Sequence, residues 1–238
     1  MESIYKMLMS LPMFQGVSRV RLSDLVDKTH FHFLKYSDGE TISEAGERCS
    51  HIRFVVSGSA RVETAFALRQ VIVSQTLTAP AVIGPDYMYG LDTYYPFSVK
   101  AAGQCGLMQL TKAEYLKILT MDRIFLINLL NVLSRNSQKA TTNLLNLKTG
   151  SVSERLAYII VTLTNSGASD ITLTFKQKDL CSIIGCQRPT LVTTLDELQQ
   201  EGYITLTPTG LNVRSRQGFV KILATSDDKK GMAQPLYG

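Results

Sequence analysis

No apolar run in the chain approaches the length of a membrane-spanning helix, and the amino end, MESIYKMLMSLPMF, has no basic region followed by a long apolar core and a cleavage site. Both absences point to a cytoplasmic protein without a membrane partner. Cysteine is scarce: Cys49, Cys105, Cys181 and Cys186 are scattered, with no CxxC pair, and Cys181 and Cys186 have no histidine near them. That spacing favours small buried hydrophobes over a zinc or iron-sulfur site. Nor is there a large excess of charge. The net charge is +5 and the pI about 9.0, but from Ser151 onward nine Lys and Arg stand against eight Asp and Glu. Affinity for a polyanion must therefore come from where the cations sit, not from their number. No residue set supports catalysis, and none calls for a metal or another cofactor. What the chain does have is length: 238 residues, 45% of them hydrophobic, suffice for two modest domains with cores of their own.

The most informative stretch is KQKDLCSIIGCQRPTLVTTLDELQQEGYI, from Lys176 to Ile204. Leu180, Ile183 and Ile184 give one apolar helical face, Gly185 breaks it, and Leu191, Leu195 and Leu198 give a second. This spacing predicts two short helices around a tight turn. Gly185 suits a corner that needs positive φ, Pro189 a helix start, and Gly202 a helix stop. Gln187, Arg188, Thr190, Thr193 and Thr194 are expected on the outer face of the second helix. They are short polar groups plus one Arg, a set able to reach base edges in a major groove. Tyr203, Ile204 and Leu206, then Leu211 and Val213, alternate around Pro208 to Gly210 as a β-hairpin does. A hairpin directly after a recognition helix is a wing. Arg214 and Arg216, two apart on an extended chain, are expected to point the same way and hold a phosphate. Ile171, Leu173 and Phe175 predict a strand that pairs with the wing. Lys176, Lys178, Arg188, Arg214 and Arg216 cluster at this end, while Asp196, Glu197 and Glu201 lie at the far end of the second helix. The candidate DNA-contacting set is therefore Lys176, Lys178, Gln187, Arg188, Pro189, Thr190, Thr193, Thr194, Arg214 and Arg216, with double-stranded DNA as the partner.

Residues 3 to 27 read as helical with an interruption at LPMFQG, and Ser18 is placed to cap the second piece. From His30 to about residue 110 the pattern becomes short alternating segments with glycine turns at Asp38-Gly39, Ala45-Gly46 and Ser57-Gly58, which predicts an antiparallel sandwich or barrel. Thr111 with Glu114, and Ser151 with Glu154, form capping boxes. Between them, residues 121 to 147 read as one helix about 39 Å long. Its seam of Leu126, Leu130, Leu133, Ser137, Ala140, Leu144 and Leu147 predicts a homodimer, because nothing else in the chain is long enough to cover it. Phe125, Leu129 and Val132 form a second stripe facing the sandwich. The expected domains are an effector-type β domain over 1–120, a dimerisation helix over 121–149, a winged helix-turn-helix over 150–226 with Gly150 as hinge, and a flexible tail over 227–238. The fold class is α+β.

With SDGETISEAGERCSHIRFVVSGSARV in the β region and DLCSIIGCQRPTLVTTLDELQQEGYI below it, the chain resembles the Crp-Fnr transcriptional regulators over roughly 10 to 223. The resemblance implies a β-roll that holds a small effector, a long dimer helix, effector-dependent reorientation of the DNA-binding domains, and RNA polymerase as a further partner. It also implies that Arg188 is a base-contacting Arg, whereas Pro189 and Thr193 depart from the common Glu and Arg and predict a different target sequence. The run IGPDYMYGLDTYYPFSV departs further. Gly84 remains, but Pro85 stands where a Glu would grip a ribose hydroxyl, and Tyr95-Pro96 stand where an Arg and its neighbour would grip a cyclic phosphate. A buried phosphate needs a cation or several N–H donors, so no cyclic nucleotide is expected. Gly84, Pro85, Tyr87, Tyr89, Tyr95, Phe97 and Ser98 suggest instead a pocket for an uncharged or aromatic effector, or one filled by its own side chains. Two rival readings remain: a dimeric binding module without DNA binding, and a cupin-like metal enzyme using His30 and His32 on one strand face, with Glu40, Glu44 and His51 poorly placed to complete it.

Overall fold

The computed structural model describes residues 2–66 and 70–229 and has an α+β architecture. In chain order the strands are β1 (His32–Tyr36), β2 (Thr41–Ser43), β3 (His51–Phe66), β4 (Val71–Thr78), β5 (Ala81–Ile83), β6 (Phe97–Thr111), β7 (Ser169–Thr174), β8 (Ile204–Thr207) and β9 (Gly210–Val213). The helices are α1 (Glu2–Ser10), α2 (Arg19–Lys28), α3 (Lys112–Met121), α4 (Arg123–Thr149), α5 (Val152–Leu163), α6 (Gln177–Ile184), α7 (Arg188–Gln200) and α8 (Arg216–Lys229). They form two compact units. One runs through Arg61 and from Leu77 to Asn136, and the other comprises Val62–Thr76 and the chain from Ser137 onward.

The first unit is an antiparallel sheet closed by helices. Strand β6 pairs with β1, His32 opposite Gln109 through Tyr36 opposite Cys105, and with β2. β3 pairs with β5, Arg53 opposite Ile83. Ser18 caps α2 by accepting from the Arg21 amide, and Thr111 and Glu114 complete a capping box at α3. Phe125 and Leu129, on one stripe of α4, are buried with Phe14, Phe54, Leu22 and Leu25. The Phe14 ring meets Phe54 at 6.0 Å and Phe125 edge-on at 5.8 Å. Asn128 fixes the helix further by donating to the carbonyls of Met13 (3.2 Å) and Gln15 (2.9 Å). Gly39 and Gly46 take the expected turns with φ of 78° and 83°, but Ser57-Gly58 is not a turn. Gly58, at φ 70°, lies inside the 16-residue strand β3, and a Cβ there would stand 1.9 Å from the Gln104 carbonyl oxygen. The glycine admits a close strand approach, and its sequence signature resembles that of a turn.

The second unit packs helices on a sheet that runs from the Val62–Phe66 end of β3 through β4, β7 and β9 to β8. β7 pairs with the wing as expected, Leu173 opposite Leu211. Its other edge is taken by β4, with Ile72 opposite Thr174 and Ser74 opposite Thr172. Helix α5, capped by Ser151 with Glu154, supplies the centre of the core through Leu156, Ala157 and Ile160, all fully buried. Gln75 is buried beside its end, where its amide donates to the Leu163 carbonyl (3.0 Å) and accepts from the Asn165 amide (2.7 Å). Gln75→Ala removes both partners from helix-terminal backbone groups, and should lower unfolding stability by about 1–3 kcal/mol in a urea titration. Helix α8 runs to Lys229, past Ser226, where a flexible tail was expected; residues 230–238 lie outside the described residues.

Candidate nucleic-acid interface

The corner between α6 and α7 is built by backbone geometry. Gly185 adopts the left-handed conformation (φ 73°, ψ 49°), and the amides of Gly185 and Cys186 both donate to the Cys181 carbonyl, at 2.8 and 3.1 Å. Arg155 of α5 donates through Nη1 to the carbonyls of Ile184 (2.7 Å) and Gly185 (3.1 Å), neutralising the helix end. Helix α7 then begins with Gln187 as N-cap and Pro189 in its first turn.

Leu191, Thr194, Leu195 and Leu198 are buried on the inner face of α7. Thr194 is thus corrected: it was expected outward, but it is only 8% exposed, because it sits three after Leu191 and four before Leu198 in the same stripe. Gln187, Arg188, Pro189, Thr190 and Thr193 are exposed. Thr193 donates its hydroxyl to the Pro189 carbonyl (3.1 Å), so toward a partner it presents an acceptor. Arg188 donates through Nε to Gln177 Oε1 at 2.6 Å. That bond places the guanidinium over the start of α6, beside exposed Lys176 and Lys178. An open concavity is lined by these residues together with Phe175 and the wing-tip Pro208. Gln177 was not among the expected contacts, and its only sequence signal is its place as the first residue of α6.

In the wing, β8 and β9 pair with Ile204 opposite Val213, and Leu206 is tied to α7 by its amide donating to Gln199 Oε1 (2.8 Å). Arg214 is exposed and donates through Nε to Thr205 Oγ1 (3.0 Å). Arg216 does not share its direction. β9 ends at Val213 and Arg216 opens α8, turning inward to donate to Thr164 Oγ1 (3.0 Å) and the Val161 carbonyl (2.9 Å). Burial lowers its pKa from the ordinary Arg value. Arg216 secures the end of α5, and the expected phosphate pair with Arg214 is corrected on that ground.

The suggested effector pocket is packed with its own rings. Gly84, left-handed at φ 51°, leads into a single turn of 3-10 helix over Pro85–Tyr87, and Pro85 is buried. Phe97 meets Tyr87 at 5.7 Å and Tyr95 at 5.4 Å, and all three rings close over Gly84. Tyr95 is fully buried and donates to the His51 carbonyl (3.3 Å); burial raises its pKa. Tyr89 points away to the Lys112 carbonyl (3.4 Å), and Ser98 is held by the Ala45 amide (3.0 Å) and Glu44 (3.3 Å). Neither joins the ring cluster. The metal-enzyme reading meets a geometric obstacle, since β1 starts at His32 and His30 precedes it. Among the described residues, no group of three or more His, Cys, Asp or Glu is placed to hold a metal, and no helix is long and apolar enough to cross a membrane.

On α4, Leu126 and Leu130 are 43% and 50% exposed, Ser137 and Ala140 are exposed, and Leu133 is partly buried against the first unit's core. The side chains of Leu144 and Leu147 lie outside the described residues.

Residues 154–222 match the Crp-like helix-turn-helix domain family, and residues 33–122 match the Cyclic nucleotide-binding domain family. Among curated proteins, the chain is 22% identical over 183 residues to the cAMP-activated global transcriptional regulator CRP of Haemophilus influenzae, covering 74% of this chain and 81% of that protein. It is 24% identical over 208 residues to the Cyclic AMP receptor protein of Thermus thermophilus, covering 85% and 92%. Among solved structures, the Catabolite Activator Protein of Thermus thermophilus has a TM-score of 0.51 at 22% identity, covering 93% of this chain and 100% of that one. That likeness concerns the fold.

Proposed function

Since the chain belongs to the Crp-Fnr family of DNA-binding transcriptional regulators, we propose that it acts in the cytoplasm as a homodimer that reads a pseudo-palindromic site. Two copies of α7 enter successive major grooves about 34 Å apart. The observation that carries this reading is the exposed first turn of α7, where Arg188, held by Gln177, stands beside Lys176, Lys178 and the wing tip. Arg188 reads a base pair, Gln187, Thr190 and Thr193 add acceptors and donors around it, and Pro189 fixes the helix start. Lys176, Lys178 and Arg214 hold phosphates. Residues 1–120 serve as a sensor roll, 121–149 as the dimer helix and 150–226 as the DNA-binding domain, with Gly150 as the hinge. RNA polymerase is the further partner through which a bound dimer changes transcription. No catalytic role is assigned.

The roll is not a cyclic-nucleotide receptor. Pro85 and Tyr95 supply no cation for a phosphate, and the Phe97 ring packs edge-to-face with Tyr87 and tilted against Tyr95. An uncharged aromatic effector would have to displace one of those rings, so the roll's default state is self-filled.

Leu126 and Leu130 support the dimer, because two half-exposed leucines one helical turn apart leave an apolar stripe that a second α4 would cover. Light scattering is expected to give twice the chain mass for the native protein. The double variant Leu126→Asp with Leu130→Asp should give the monomer mass, with DNA affinity lowered at least tenfold as the paired half-sites separate. A native monomer that still binds a two-half-site duplex would contradict this arrangement.

A further inference from the structure

The helix-turn-helix corner holds two thiols that the DNA-reading role does not use. Cys181 lies in the last turn of α6 and Cys186 just beyond it, both half-buried. The Cys186 amide donates to the Cys181 carbonyl at 3.1 Å. The N–Cα bond, that distance and the Cα–C=O unit, bent at its carbon, together limit the Cα separation to about 7 Å, at the outer edge of the span a disulfide bridges. Cys181 also opens onto the concavity that carries Lys176, Lys178 and Arg188, so an oxidant in solution can reach it.

We propose that Cys181 and Cys186 form a reversible intrachain disulfide under hydroperoxide, and that this oxidised form binds DNA more weakly. The chemistry balances in two steps. The Cys181 sulfur attacks the hydroperoxide O–O bond, giving a sulfenic acid and releasing the alcohol, or water when the oxidant is hydrogen peroxide. The Cys186 sulfur then attacks the Cys181 sulfenic sulfur, the S–S bond forms, and a second molecule, water, leaves with the Cys186 proton. Two thiols are oxidised and one peroxide is reduced. Burial raises the Cys186 pKa, with the neighbouring Cys181 adding to the shift. This disfavours Cys186 as the thiolate that meets the peroxide first. Thiols in a reducing compartment return the pair to the dithiol, as a signalling rather than structural disulfide requires.

The consequence for DNA follows from position. An S–S bond of about 2.05 Å draws the two sulfurs together across the corner, while Arg155 holds the Ile184 and Gly185 carbonyls in place. The displacement must therefore pass to the other side, into Gln187 and Arg188. This part of the proposal rests on α7 being the reading helix.

Purified protein is treated with hydrogen peroxide, then alkylated and weighed without reductant. The expected product has lost two hydrogens, resists alkylation at Cys181 and Cys186, and is restored by dithiothreitol. Oxidation should weaken binding to a selected duplex about tenfold, the scale of one lost base contact. Cys181→Ser and Cys186→Ser should each bind as the reduced protein does, form no disulfide and lose no affinity under peroxide, with Cys186→Ser stopping at the Cys181 sulfenic acid. The proposal is overturned by free thiols at both positions after excess peroxide, by a disulfide that leaves affinity unchanged, or by peroxide sensitivity that survives in both serine variants. Mass decides disulfide formation without DNA, whereas absence of binding by the reduced protein would count against the DNA-reading role itself.

Discussion

Arg188→Ala is expected to erase the preference for one base pair in each half-site while leaving binding to unrelated duplexes nearly unchanged. The guanidinium engages Gln177 through Nε at 2.6 Å, which leaves the Nη groups to meet the O6 and N7 of a guanine. A bidentate contact of this kind discriminates by about 1–3 kcal/mol, so each half-site should lose roughly tenfold to a hundredfold in selectivity. Arg214→Ala provides the contrast. Arg214 sits exposed at the end of the wing, bonded to Thr205, and its loss should weaken all sequences alike and reduce the salt slope by about one. Anisotropy titrations on matched and base-substituted duplexes at several salt concentrations separate the two patterns. Equal loss on every sequence for Arg188→Ala would remove its assigned role.

Gly210→Ala should have the largest effect on the DNA-binding unit's stability. Gly210 starts β9 opposite Thr174 of β7, and an added Cβ would stand 1.9 Å from the Leu173 carbonyl oxygen and 2.9 Å from the Thr174 Cα. Both obstacles are backbone, so neither can rotate away. The wing must separate from β7 or the strand must bend, at a cost of about 3 kcal/mol in urea unfolding. DNA affinity should fall with it as the wing and Arg214 are displaced. Gly167→Ala is the control: nothing stands within 4 Å of its added Cβ, and its stability should change by less than about 0.5 kcal/mol.

Local signals made much of this architecture readable. Gly185 and Pro189 mark the helix-turn-helix because only a few residues satisfy a left-handed corner and a fixed helix-starting φ. Both capping boxes form because their partners are three residues apart. What escaped was set by residues distant in sequence. The pairing of β4 with β7 joins Ser74 to Thr172, and nothing within either strand specifies it. Arg216 was misread because the alternating pattern does not show where β9 stops and α8 begins. Thr194 was misread because a small polar residue can occupy an apolar stripe when its burial is tolerated by packing. Gly58 has the sequence of a turn and the surroundings of a crowded strand. In the roll, the aromatic residues were recognised as a group, but whether they line a cavity or fill it depends on their mutual packing, which the sequence does not encode locally.

The most direct test of the central claim is selection from random duplex DNA by the purified, reduced, ligand-free protein at physiological salt. The account predicts enrichment of a pseudo-palindrome whose half-sites are centred about 10 base pairs apart or a multiple of that, each with a guanine that Arg188→Ala no longer selects. Binding that enriches no sequence, or a single half-site without a symmetric mate, would contradict a dimer reading DNA through α7.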